Sequence, residues 1–192
     1  MVDVSHVGEK TFWDVIATTT KPILASHSSV YALCPVYRNL KDDQIKAIAK
    51  NGGVVQVNFY SAFLDSNYNK YLMSFLKQHE SQSDSLKALN FSEHQVIEFL
   101  IKTYNKEFGQ MRPPLSLLFD HIDYIVRLVG VDYVGLGSDF DGIESAPQGL
   151  DGVEDLPKII DGLLKRGYSE KDVKKIMGGN FLRVFKANDS HR

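Results

Sequence analysis

Four side chains with useful chemistry stand at corresponding places in this 192-residue sequence, each just after a short apolar run. His6 follows Val2-Asp3-Val4-Ser5, and His27 follows Pro22-Ile23-Leu24-Ala25-Ser26. Tyr60 closes Val54-Val55-Gln56-Val57-Asn58-Phe59, and Asp139, with Asp141 beside it, follows Tyr133-Val134-Gly135-Leu136-Gly137-Ser138. Neutral imidazole and carboxylate both bind zinc and similar divalent ions. A single histidine at a strand end is ordinarily a hydrogen-bonded structural residue. Two on successive strands, with a strand-end aspartate, point instead to a metal held between strands. Three ligands fall short of the usual four unless solvent or another protein group completes the set.

A carboxylate beside a water activated by such a metal can take its proton and pass it to a leaving amine. Asp139 is better placed than Asp141 to face the common axis of the strands. Asp139-Phe140-Asp141-Gly142 also reads as a turn whose aspartates cap backbone amides. It lacks the closing glutamate of a calcium loop. Arg38, at the end of the long loop after His27, is either a solvated charge or a two-pronged clamp for a carboxylate. Phe59, Tyr60 and Phe63 read as core or pocket wall. Cys34 reads as a structural thiol, since no general base is assigned to it.

The elements that must position these residues follow from hydrophobic period. Met1 to Ser5 reads as a strand on β-branched content, Glu9 to Thr18 as an amphipathic helix, and Pro22 to Ala25 as a short buried strand. Leu40, Ile45, Ile48 and Ala49 mark a second helical face, stopped by Asn51-Gly52-Gly53. Val54 to Tyr60 is nearly continuous in apolar residues, as a parallel strand covered on both faces should be. Residues 61–114 read as a helical insertion, with helices over Tyr68–Gln78 and Ser92–Phe108 and a polar surface connection over Glu80–Asp84. Pro113-Pro114 introduces a helix over Leu115–Val129 whose buried side carries Leu117, Leu118, Ile122, Ile125 and Val129. Tyr133 to Gly137 is the last strand. Helices near Val153–Arg166 and Glu170–Met177, a helix stop at Gly178-Gly179-Asn180 and a short segment over Asn180–Phe185 complete a single domain, 1–192. Strand, loop and helix alternate four times, which implies an α/β fold with a parallel sheet. An open doubly wound sheet and part of a (β/α) barrel both fit that alternation. In a barrel, the four chemistry-bearing positions would converge on the C-terminal face.

Composition removes several function classes. The chain is 43% hydrophobic and 24% charged with a formal charge of −2, which offers no electrostatic reason to bind nucleic acid or an anionic membrane. Its one cysteine forms no internal disulfide. No apolar run approaches the roughly 20 residues of a membrane span, and the start lacks the form of a secretory signal. The expected location is cytoplasmic.

Taken together, Asp3-Val4-Ser5-His6-Val7, Ser26-His27-Ser28-Ser29-Val30-Tyr31, Tyr37-Arg38-Asn39, Val57-Asn58-Phe59-Tyr60, Gly135-Leu136-Gly137-Ser138-Asp139-Phe140-Asp141-Gly142 and Gly179-Asn180-Phe181-Leu182-Arg183-Val184 resemble the renal, or membrane, dipeptidase family of zinc peptidases. They run in that family's order. The resemblance implies a parallel (β/α) barrel of the TIM, metal-dependent hydrolase type and hydrolysis of dipeptides at a two-zinc site. It implies that His6 and His27 hold the second zinc, that Arg38 receives the substrate's terminal carboxylate, and that Asp139 stands beside the catalytic water. Phe63 falls where some members carry a tyrosine.

The His-x-Asp strand that binds the first zinc in that family, and the glutamate that bridges the two, have no counterpart in this sequence. A whole barrel also takes about 250 residues. The chain is therefore expected to form only the C-terminal half barrel, about four βα units encoding one partial zinc site. It should be weakly active or inactive alone and should pair with a second half barrel or another copy of itself. A non-catalytic relative acting as a binding or structural module is the alternative. Another barrel hydrolase, such as a lactonase or phosphotriesterase, also shares strand-end histidines and aspartate.

Overall fold

The computed structural model describes residues 1–189. Its centre is a parallel sheet of three strands, β1 (Leu24–Ala25), β2 (Val54–Asn58) and β3 (Val134–Gly137), in the order β1-β2-β3. Leu24 pairs with Val54, and Val55 to Asn58 pair in register with Val134 to Gly137. The expected first strand contributes a single parallel bridge, Asp3 to Leu24, beyond β1. It goes no further because the Asp3 carboxylate accepts from the Ser5 amide at 3.1 Å and turns the chain aside. Strand order therefore follows chain order from the N-terminal stretch to β3. β2 stops two residues short of Tyr60 because the Asn58 side chain takes the Tyr60 amide at 2.5 Å.

Alternation divides the sheet's two faces. Val55, Val57 and Val134 point into the main core, where Ile45 and Ile48 of α2 (Asp42–Lys50) and Leu118, Ile122 and Ile125 of a later helix cover them. Ser26, Gln56 and Gly135 lie on the other face. There the sheet curls so strongly that a Cβ at Gly137 would overlap the Ser26 carbonyl oxygen, although β2 separates their strands. Glycine is the residue that admits this approach.

α1 (Glu9–Thr18) buries Phe12 and has the expected bounds. α2 ends through Gly52, whose φ of 80° is the left-handed turn expected after a helix. Five helices follow β2: α3 (Ser61–Leu64), α4 (Tyr68–Gln78), α5 (Glu80–Ala88), α6 (Glu93–Thr103) and α7 (Asn105–Met111). They enclose an apolar cluster of their own around Tyr68, Phe75, Leu86, Val96, Leu100 and Phe108. α5 corrects the expected polar connection at Glu80–Asp84. Its sequence is nearly all polar, yet Ser83 and Leu86, three apart, are buried against that cluster.

α8 (Ser116–Val129) buries Leu118, Phe119, His121, Ile122 and Ile125, whereas Leu117 and Val129 are only half-buried. The C-terminal part comprises α9 (Leu156–Lys165), α10 (Glu170–Lys174), a wide turn at Lys175–Gly179 and α11 (Asn180–Asn188). Gly178 breaks the helical backbone, but α11 begins at once. The expected stop is therefore a kink, fixed by Asn180 Nδ2 donating to the carbonyls of Val131 at 2.7 Å and Val134 at 2.8 Å.

Candidate metal site at the strand ends

The N-terminal stretch and β1 end side by side, and this brings His6 and His27 together. Their Nε2 atoms face each other at 2.7 Å, with ring centroids 4.8 Å apart. His27 Nδ1 lies 2.7 Å from Ser26 Oγ, which in turn donates to the Asp3 carboxylate. The His27 amide donates to Ser5 Oγ at 2.9 Å, pinning the loop to the neighbouring stretch. Burial lowers the His27 pKa; Asp139 opposes that shift, while Arg38 and His6 add to it. The net direction favours the neutral ring, the form that binds metal. Partial burial would raise the Asp3 pKa, but hydrogen bonds from Ser26 and Ser5 outweigh it and hold the carboxyl below the usual range.

Arg38 arrives from the far end of the loop. One terminal nitrogen donates to the Ser5 carbonyl at 2.6 Å, the other to His6 Nε2 at 3.1 Å, and the guanidinium lies 5.4 Å from the centre of the Phe63 ring. Because a guanidinium can only donate, His6 Nε2 here is an acceptor. A metal on that nitrogen and this hydrogen bond exclude each other. His6 and Arg38 also line a cleft of about 550 Å³ with Phe12, Tyr31 and Tyr37, which His27 and Asp139 do not reach.

Asp139 adopts φ 59° and ψ 30°, a left-handed conformation that aspartate tolerates better than most residues. It opens the tight turn Phe140–Gly142, where its carbonyl accepts from Gly142 at 2.9 Å, but its carboxylate makes no capping bond. One carboxylate oxygen instead accepts from Asn58 Nδ2 at 3.1 Å. Asp139 acts electrostatically on His27 but does not join the two histidines in a group that could hold a metal, and Asp141 is exposed. Tyr60 packs on Phe63 with ring centroids 5.0 Å apart, and burial together with Glu144 pushes its phenol pKa up. Cys34 is buried, its thiol donates to the Ala62 carbonyl at 3.4 Å, and its pKa is pushed up to about 11 by burial. That is an inert thiol.

Four supporting residues were not singled out in the sequence. Asn58 orients Asp139, and its signal is an amide ending an apolar strand. Asp3 and Ser26 buttress His27. His121, 1% exposed, accepts from the Val30 amide through Nδ1 at 3.0 Å and donates from Nε2 to the Leu64 carbonyl at 3.2 Å. It thereby ties the loop after His27 to α3, and desolvation lowers its pKa to about 4.

Two imidazole nitrogens that face each other are a donor set suited to a divalent ion. The set is incomplete. Among the described residues no group of three or more His, Cys, Asp or Glu side chains could hold a metal. The residues present fit two ligands of a divalent ion and do not by themselves complete a site.

Residues 1–192 match, end to end, the family described as membrane dipeptidase, peptidase family M19. The chain belongs to that family. An uncharacterized dipeptidase of Schizosaccharomyces pombe is 33% identical over 98% of this chain, and a protein of Klebsiella pneumoniae encoded 5′ of pqqA is 37% identical over 96%. The chain spans 36% and 54% of their respective lengths. Among solved M19-like structures, a metallopeptidase of Rhodobacter sphaeroides bound to a phosphinate mimic of the dipeptide L-Ala-D-Ala superposes with a TM-score of 0.73 at 26% identity. The match covers 98% of this chain and 42% of that one. The probable dipeptidase PvdM of Pseudomonas aeruginosa gives 0.73 at 29% identity, covering 97% and 50%. Membership of this metallopeptidase family implies a metal cofactor. No helix among the described residues is long and apolar enough to cross a membrane.

Proposed function

We propose that this chain carries one side of the active site of a zinc-dependent dipeptidase, built on the C-terminal half of a (β/α) barrel. The facing Nε2 atoms of His6 and His27 at the ends of adjacent parallel strands carry the reading. Strands that follow chain order, a sheet that curls toward one face, and a chain spanning 42% and 50% of the two solved relatives named above support the half barrel. On this reading residues 61–114 form a helical insertion within a single domain. The sheet edge at Met1 and Val2, which are 51% and 42% exposed, would be covered by a second half barrel, from another chain or another copy.

His6 and His27 would hold the metal, which when bound polarises the scissile carbonyl and acidifies the attacking water. Asp139, steadied by Asn58, takes the proton from that water and returns it to the leaving amine. Arg38 receives the terminal carboxylate of the dipeptide. To do so it exchanges its bond to His6 for one to substrate while keeping its stack on Phe63, which also frees the His6 lone pair for the metal.

Zinc titration of the wild-type chain should show one equivalent, lost in His27→Ala. Alone the chain should hydrolyse little or no dipeptide. Joined to a half barrel that supplies the missing ligands it should be active, and Asp139→Asn should lower that activity by roughly 10²- to 10⁴-fold. Equal zinc uptake by wild type and His27→Ala would overturn the assignment. It would favour a binding or structural module, a reading that the incomplete ligand set also permits.

A further inference from the structure

We infer that Asp3 and Ser26 are positioning residues that lock His27 in the tautomer with its proton on Nδ1, leaving the Nε2 lone pair aimed at His6. The consequence for metal binding rests on the dipeptidase reading above; the tautomer itself does not.

Hydrogen-bond accounting carries the inference. An ionised carboxylate only accepts, and Asp3 accepts from the amides of Ser5 and Ser26, both at 3.1 Å, and from the Ser26 hydroxyl. That hydroxyl has one proton. Its other oxygen neighbour, Ser5 Oγ, is 3.4 Å away and does not compete with a carboxylate. With the proton committed to Asp3, Ser26 Oγ can only accept from His27 Nδ1, 2.7 Å away. A neutral imidazole carries one N–H, so His27 Nε2 holds a lone pair. On the far side Arg38 makes His6 Nε2 an acceptor too. Two acceptors thus stand 2.7 Å apart, an arrangement that only a proton or another cation between or beside them relieves. Histidines that bind metals commonly pass their second N–H to a carboxylate. Here a serine hydroxyl is interposed, and the carboxylate comes from the adjacent stretch of chain.

Long-range ¹H–¹⁵N correlation on the ¹⁵N-labelled full chain, without metal and above the titration range of histidine, reads the tautomer directly. Wild type should show His27 with a protonated Nδ1 and an unprotonated Nε2. Ser26→Ala should lose this pattern in favour of a mixed or Nε2–H form, and Ser26→Thr, which keeps the hydroxyl, should restore it. Zinc affinity should fall about 10- to 100-fold in Ser26→Ala and stay near wild type in Ser26→Thr. An Nε2–H tautomer in wild type would overturn the inference, and so would an unchanged Nδ1–H form in a folded Ser26→Ala chain. If the tautomer behaves as expected and no zinc binds, the positioning roles stand and the dipeptidase reading falls.

Discussion

The two ends of the parallel strands are built on opposite plans. At the strand starts, α11 closes the sheet with donors matched to acceptors. Arg183 donates to the carbonyls of Gly52 at 2.5 Å, Gly53 at 3.2 Å and Asp132 at 2.7 Å, and Asn188 donates to Pro22 at 2.8 Å. Phe181 and Val184 cover Leu24 and Val54 beneath them. At the strand ends, acceptor faces acceptor across His6 and His27, and the arginine that donates to one of them is half-exposed. Matched polar groups hold a fold together, whereas unmatched ones aimed at a common point are tolerated where a ligand is to be held. On the function proposed above, one end supplies stability and the other retains chemistry.

Acid should break this contrast most sharply, because His121 fastens the strand-end loop from behind. Its folded pKa of about 4 lies below the unfolded value of 6.5. The unfolded chain therefore binds the proton first as pH falls, and stability, complete above pH 6.5, is lost between there and pH 4. The shift is worth about 3 kcal/mol at 1.36 kcal/mol per pH unit. Urea titrations at pH 7 and pH 4.5 should show most of this loss, and amides of the loop from Ser28 to Asn39 should lose protection before those of α11. A His121→Gln chain, weaker at pH 7, should have a flatter profile. A flat wild-type profile would refute the role given to His121.

A smaller effect tests the closed end. Arg183→Ala removes three charge-assisted bonds to backbone carbonyls, which net about 1–2 kcal/mol at an exposed position. The His27 tautomer and zinc uptake should not change, since the hydrogen bonds of Arg183 go to the carbonyls of Gly52, Gly53 and Asp132 at the other end of the strands. Denaturant midpoints and zinc titration of the same sample separate the two outcomes. Weakened zinc binding would show that the two ends are coupled.

What could be read from the sequence divides along the same line. Locally periodic segments were legible: α1 and α4 have the expected bounds because their apolar residues recur at helical spacing. α5 was not, since two buried side chains in a polar segment leave almost no period. Residue type and position marked His6, His27 and Asp139 after apolar runs, and Arg38 at the end of the loop after His27, as candidates. Their supports stayed hidden because each acts across the chain: Asp3 on Ser26 over 23 residues, Asn58 on Asp139 over 81, His121 on Val30 over 91. Such pairings depend on the register and curl of a sheet that no local pattern fixes.

The smallest expected change bears most directly on the open end. His27→Ala, without metal, should alter stability by no more than about 0.5 kcal/mol. The substitution removes one hydrogen bond to Ser26 Oγ, which remains bonded to Asp3 and within reach of water, and some packing of a half-buried ring against His6. It also removes one of two facing lone pairs, an opposing gain. The two terms are of similar size, so the urea midpoint should hardly move even as zinc binding disappears. A loss of 2 kcal/mol or more would mean that the imidazole pair helps hold the fold, and that the strand ends share the structural task assigned here to the strand starts.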